Sequence, residues 1–107
     1  MNNVIIGVGE LAWRGVYAAR NFRKGEVVIK YHLRLLSKNE YENLTSKEKM
    51  FVHSHHGMLY LYSEPERYVN HSRNPNTSQD IDCQCDIATQ DILKGEKITT
   101  DAKKDDV

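Results

Sequence analysis

The chain has 107 residues and a mass of 12.4 kDa, with 39% hydrophobic and 28% charged side chains, which fits one domain with a single modest core. Fifteen basic and fifteen acidic residues cancel to a formal charge of +0, so no basic field draws nucleic acid, and a basic peptide partner would need a local acidic patch. No apolar stretch reaches the length of a membrane span, the opening residues carry no basic leader, and Cys83 and Cys85 are too few and too close for a disulfide scaffold, so the expectation is a reducing, intracellular compartment.

Residues 4–6 and 15–19 read as strands on their β-branched and aromatic content. Phe22-Arg23-Lys24-Gly25-Glu26 reads as a turn, because Gly25 tolerates a positive φ, and residues 27–31 follow as a strand. Ser37-Lys38-Asn39-Glu40 is a capping box ahead of Tyr41 and Leu44, and Thr45-Ser46-Lys47-Glu48 repeats it ahead of Met50, Phe51 and His53. These predict a helical insert over about residues 37–56, as two short helices or one with a break. His53, His55 and His56 would then mark an exposed helix end, with Gly57 as the stop. No carboxylate or cysteine joins those histidines at ligand spacing, so no metal site is expected.

Residues 58–62 are a further strand candidate. Residues 80–89 alternate, with Ile81, Cys83, Cys85 and Ile87 on one face and Asp82, Gln84 and Asp86 on the other. That pattern predicts one strand with both thiols buried. Ile92-Leu93-Lys94-Gly95-Glu96 is a second Lys-Gly-Glu turn, leading to a strand at 98–100. The two turns predict similar corners at either end of a small β-domain. Roughly eight short strands and one helical insert make a mostly-β architecture, read as a single domain over residues 1–107 with a solvated, charged tail.

Arg67-Tyr68-Val69-Asn70-His71-Ser72-Arg73-Asn74-Pro75-Asn76 is too polar for a core strand and too dense in functional side chains for a plain linker. Its asparagines, proline and serine predict a tight, hydrogen-bonded excursion fed by the apolar run ending in Val69. A short strand that delivers Asn70 and His71 into such a turn can hold a polar ligand, since an amide donates and accepts at once. The alternative is a turn in which Asn70, Asn74 and Asn76 cap their own backbone.

The words Arg-Tyr-Val-Asn-His-Ser-x-x-Pro-Asn resemble the central signature of SET-domain protein lysine methyltransferases. Arg14-Gly15-Val16-Tyr17-Ala18-Ala19-Arg20, followed by Phe22-x-Lys24-Gly25-Glu26, is similar to the family's opening segment. Asp86-Ile87 through Lys94-Gly95-Glu96 to Thr100-Asp101 is similar to its closing segment. All three stand in the family's order and cover nearly the whole chain. The resemblance implies a SET-like fold of short strands and small sheets, with the C-terminal segment packed in a pseudoknot-like arrangement near the Asn-His-Ser motif. It implies S-adenosylmethionine as cofactor and a protein or peptide lysine as substrate, a histone among the candidates. A chromatin substrate would make the location nuclear rather than cytoplasmic. No direct contact with nucleic acid or membrane is implied, and oligomeric state is not readable. Trp13, Arg14, Gly15, Val16 and Tyr17 would hold the cofactor from one side, and Arg67, Tyr68, Asn70 and His71 from the other.

Three positions depart from the pattern. Trp13 stands at the family's first glycine, either bordering the cofactor or acting as a half-buried anchor, and a positive φ there would cost an indole about 1 kcal/mol or more. Arg73 replaces a cysteine of the family's zinc pattern. Ala102 stands where the family carries a tyrosine that aligns the substrate amine, a hydroxyl worth roughly 10²–10³ in rate by analogy with oxyanion-hole deletions. The alanine is engineered, or marks a natural cofactor- or peptide-binding module without turnover, or is compensated by another phenol. Tyr60, Tyr62 and Tyr68 are the catalytic candidates for that compensation; ordinary strand packing is the alternative for all three.

Overall fold

In the computed structural model, which describes residues 3–101, ten short strands form three small sheets. Ala102 lies outside the described residues. The strands are β1 (Val4–Leu11), β2 (Arg14–Ala18), β3 (Val27–Lys30), β4 (Arg34–Leu36), β5 (Val52–His55), β6 (Met58–Leu61), β7 (Asn70–His71), β8 (Thr77–Asp80), β9 (Cys85–Ala88) and β10 (Lys97–Thr100). Their sheet orders are β1-β2-β10-β7, β3-β9-β8 and β4-β6-β5. Two short helices, α1 (Lys38–Glu42) and α2 (Ser46–Lys49), and a 3-10 turn at Glu66–Tyr68 complete the chain. Among the described residues no helix is long and apolar enough to cross a membrane. Val16, Phe22, Phe51, Ile92 and Ile98 lie at the centre of the core, each at most 2% exposed.

The two Lys-Gly-Glu corners do not sit at opposite ends. Phe22 and Ile92 form a β-bridge that sets them side by side. Each corner copies the other: Gly25 and Gly95 take φ values of 93° and 92°, and Glu26 and Glu96 each accept from the backbone amide three residues back at 2.6 Å. The pairing is exchanged between them. Ala18 N donates to Glu96 O at 2.8 Å, while Ala88 N donates to Glu26 O at 2.9 Å. This exchange carries β10 against β2 and β9 against β3.

Both helix starts follow their caps. Ser37 and Glu40 make the full capping box, and the Thr45 side chain accepts from Glu48 N. The helical insert is nevertheless shorter than predicted, and His53 to His56 are not a helix end. Residues 52–55 pair with β6, and His56 and Gly57, with φ of 53° and 79°, make the two-residue turn between them. His55 is 1% exposed, its Nε2 lying 2.5 Å from Tyr62 Oη. Pairing with an apolar strand outcompetes one more turn of helix, whose isolated stability is small.

The alternation at 80–89 is likewise not one strand. Asp80 accepts from Cys83 N at 3.1 Å and Gln84 takes a φ of 55°, folding the segment into a hairpin between β8 and β9. Cys83 is therefore exposed while Cys85 is buried, and Asp86 faces inward at 2% exposure. The inward carboxylate accepts the phenol of Tyr31, a partner no local pattern reveals.

Candidate functional site

Asn70 is the residue around which this region is built. Its side chain is 1% exposed. Its Oδ1 accepts from Glu10 N at 2.9 Å, and its Nδ2 donates to Arg14 O at 3.0 Å and Tyr68 O at 2.9 Å. One amide thus ties the β1–β2 hairpin to the 3-10 turn. Its own backbone pairs β7 in parallel with β10, Asn70 opposite Thr99 and His71 opposite Thr100. Gly15 permits the approach, since a Cβ there would lie 3.3 Å from Asn70 Oδ1. Gly9 is needed more strictly, as its Cβ would fall 2.4 Å from Arg14 O. Asn76 repeats the device lower down, donating to Lys97 O at 2.8 Å and accepting from Thr99 N at 2.9 Å. Both amides therefore clamp distant strands, and Asn70 in addition bonds its own turn through Tyr68 O.

The β1–β2 connection is strained. Ala12 and Trp13 both have positive φ, 51° and 67°, the geometry of a two-residue hairpin turn that favours glycine or asparagine. Trp13 is 87% exposed, so it is not a half-buried anchor. The turn holds its side chain out because its backbone is reversed there. Arg14 is exposed beside it, with its guanidinium 5.7 Å from the Tyr68 ring centre. Val16 is wholly buried in the core, while Tyr17 donates its phenol to Val8 O at 2.5 Å.

Next to His71 opens a cavity of about 140 Å³ where the three sheets converge. Its mouth carries Met50, 47% exposed, with His71 and Leu11. Its interior carries Tyr31, Tyr62, Glu66, Gln79 and Asp86. The Tyr31 and Tyr62 rings stand 5.4 Å apart and tilted by 42°, and His53 lies 4.6 Å from Tyr62. Tyr62 Oη accepts from Gln79 Nε2 at 2.6 Å as well as meeting His55. Burial, followed by the Asp86 charge, pushes the Tyr31 phenol far above its usual pKa, so it stays a neutral donor. Burial also raises the Glu66 carboxyl above the ordinary carboxylate range.

Among the tyrosines singled out in the sequence, Tyr62 lines this cavity. Tyr60, two residues earlier, sits within β6, its phenol near Met58 Sδ at 3.9 Å. Tyr68 is packed edge-on against Phe51 at 5.4 Å. Arg67 lines the cavity with its Nε held by Tyr62 O at 2.9 Å and its guanidinium over the Phe51 ring at 4.5 Å. His71 is exposed, with Nδ1 3.7 Å from Asp101. Arg14, Gly15, Tyr68, Asn70 and His71 are thus brought together, whereas Trp13 stands clear at the turn. Sequence reasoning missed Tyr31, Glu66, Gln79 and Asp86. Glu66 borders the signature and was the one within reach; the others are separated from it in the chain and joined only by the sheets.

A family model of the SET domain matches residues 13–101. Human histone-lysine N-methyltransferase 2D is 28% identical over 123 aligned positions, covering 97% of this chain and 2% of that protein. The chain therefore spans only a small part of the curated relatives it matches. Among solved structures, a Plasmodium falciparum protein provisionally assigned as a histone methyltransferase superposes with a TM-score of 0.72 at 16% identity, covering 94% of this chain and 93% of its own. A structure of ctPRC2, in an autoinhibited conformation bound to S-adenosylmethionine, superposes with a TM-score of 0.75 at 21% identity, covering 98% of this chain and 16% of its own. With the match extending from the strained β1–β2 turn to the end of the described residues, the chain belongs to the SET domain family.

Proposed function

We infer that this chain is an S-adenosylmethionine-dependent protein-lysine N-methyltransferase domain. The observation that carries the reading is the Asn70 clamp, which holds the β1–β2 hairpin and the β7–β10 pair beside an aromatic-walled cavity. The human relative is named a histone-lysine methyltransferase, and ctPRC2 was solved with S-adenosylmethionine. A histone-type lysine in a nuclear setting is the corresponding substrate and location.

The residues on the open side of the clamp fit that cofactor. Trp13 offers an exposed indole face suited to a purine, and Arg14 an exposed cation suited to a carboxylate. Backbone of residues 14–17 and of Asn70 and His71 would hold the remainder, since the Asn70 amide is already spent on the fold. When bound, the cofactor supplies an electrophilic methyl group on a sulfonium. The chain itself supplies positioning and water exclusion. A substrate amine enters past Met50 and His71 and reaches the wall formed by Tyr62 and Tyr31. Attack requires a neutral amine with its lone pair in line with the breaking bond. Tyr62, held by His55 and Gln79, is the phenol best positioned to orient that amine in place of the one absent at Ala102.

A cofactor- or peptide-binding module without turnover is the second reading, favoured by Ala102 itself. A radiolabelled transfer assay on mixed histones, run on this chain beside its Ala102→Tyr and Tyr62→Phe variants, separates the two. Labelling by the parent chain that Tyr62→Phe abolishes supports the compensating phenol. Labelling by Ala102→Tyr alone supports an intact but silenced site. Absence of labelling in every case overturns the enzyme reading.

A further inference from the structure

The outer edge of β1 is long and apolar. Among the described residues the other sheet edges, β7, β3, β8, β4 and β5, are strands of two to four residues, whereas β1 has eight and no strand pairs with its outer side. Its sequence, VIIGVGEL, carries one charge, Glu10, and neither lysine nor proline, the residues that ordinarily keep an edge from pairing. Ile5 and Val8 stand 58% and 81% exposed on it, on opposite faces of the strand.

The register fixes which backbone groups point outward. Asn3 O accepts from Ala19 N, and Gly9 N donates to Trp13 O, so the odd-numbered residues of β1 bond inward to β2. The N–H and C=O groups of Val4, Ile6 and Val8 therefore face away from the sheet. Tyr17 donates its phenol to one of them, Val8 O, and a carbonyl oxygen keeps a second lone pair for another donor.

That row is complementary to itself. With two copies antiparallel about a two-fold axis at Ile6, Ile6 faces Ile6 of the second copy and Val4 faces Val8 of the second copy, each pair exchanging backbone hydrogen bonds. The side chains agree on both faces. On one, Ile5 lies across from Gly7 of the second copy, where the Tyr17 ring fills the space a side chain would take: a Cβ at Gly7 would fall 2.9 Å from that ring. On the other, Val8 comes beside Val4 of the second copy, which borders a groove of about 410 Å³ lined by Val28, Ile29 and Pro65. Charge does not oppose the association, since the chain carries a formal charge of +0 and Glu10 falls outside the paired stretch.

We propose that a second copy of this chain docks on β1, forming a homodimer by antiparallel pairing of residues 4–8 across a two-fold axis at Ile6. Glu10, whose N–H is bonded to Asn70, and Trp13 lie beyond the paired residues, so each copy keeps its own site. The proposal goes beyond the transfer reading and does not depend on it.

Sedimentation equilibrium of the chain from micromolar to millimolar concentration is the test. The mass is expected to rise from 12.4 kDa toward twice that value. Ile5→Lys, at an exposed position, is expected to raise the dissociation constant roughly tenfold or more, because a charge takes the place of a packed aliphatic side chain. Ile6→Pro removes an outward N–H and is expected to act in the same direction; circular dichroism checks that both variants are folded. Ile6→Cys in a Cys83→Ser background reports the register. Its two copies would meet at a Cα separation of about 5.5 Å, within disulfide reach, so copper-phenanthroline oxidation should link them, and should link Val8→Cys far less. A chain that stays at 12.4 kDa throughout overturns the proposal. So does a dimer that both folded variants leave unchanged, which places the interface on another surface, or one that links through Val8→Cys in preference to Ile6→Cys, which places it in another register.

Discussion

Replacing Asn70 by alanine tests whether its amide serves the fold or a ligand. The substitution leaves Glu10 N, Arg14 O and Tyr68 O without their partner, at a site where the residue is 1% exposed. At roughly 1 kcal/mol net per hydrogen bond, the loss is about 3 kcal/mol. With a urea m-value of roughly 1–3 kcal/mol per molar, the denaturation midpoint should fall by about 1–3 M. The melting temperature should fall by roughly 12 °C or more, at about 4–8 °C per kcal/mol for a domain of this size. Asn70→Asp sharpens the test. It keeps an acceptor for Glu10 N but turns a second oxygen onto the carbonyls of Arg14 and Tyr68, so at neutral pH it should be no more stable than the alanine variant. A loss under about 1 kcal/mol for Asn70→Ala, within the range of a single ordinary hydrogen bond, would refute the clamp. If that stable variant also lost S-adenosylmethionine binding, the amide would be a ligand group instead.

Trp13→Gly should stabilise the chain by about 1 kcal/mol, because an exposed indole at a φ of 67° gives up its left-handed strain, and urea midpoints read by circular dichroism check it. Glu66 gives a pH signature. Burial raises its folded pKa above the ordinary 4.5, so the stability contributed by its protonated form is full below the unfolded value and is lost as pH rises through the folded one. Glu66→Gln should therefore gain on the parent chain between about pH 4 and about pH 8, and parallel urea midpoints at the two ends would expose an error in sign. Burial, then the neighbouring Cys83, pushes the Cys85 thiol up to about 12, while Cys83 is exposed. Iodoacetamide at neutral pH should alkylate Cys83 alone, with Cys85 reacting only after denaturation, as mass spectrometry of the digested chain would report.

Much of the strand content was legible because it rests on local chemistry. Residues 27–30 and 97–100 are β-branched runs released by turns whose glycines accept a positive φ, and such signals act within a few residues. The capping box at Ser37 and the N-cap at Thr45 were legible for the same reason. The motif around Asn70 and the family it belongs to could also be read from residue order alone. What the order did not contain was direction. Apart from the local bond of Asn70 to Tyr68 O, the amides of Asn70 and Asn76 face backbone more than twenty positions away, and the pairing of β10 between β2 and β7 brings that backbone to them. Asp86 lies inward because Tyr31, fifty-five positions earlier, follows the end of the neighbouring β3 in reach of it. His55 leaves the helix because β6 offers it a strand partner. A side chain's own pattern determines what it can bond. The tertiary structure alone decides which long-range partner is present, since a buried polar group must take whichever partner packing brings within about 3 Å.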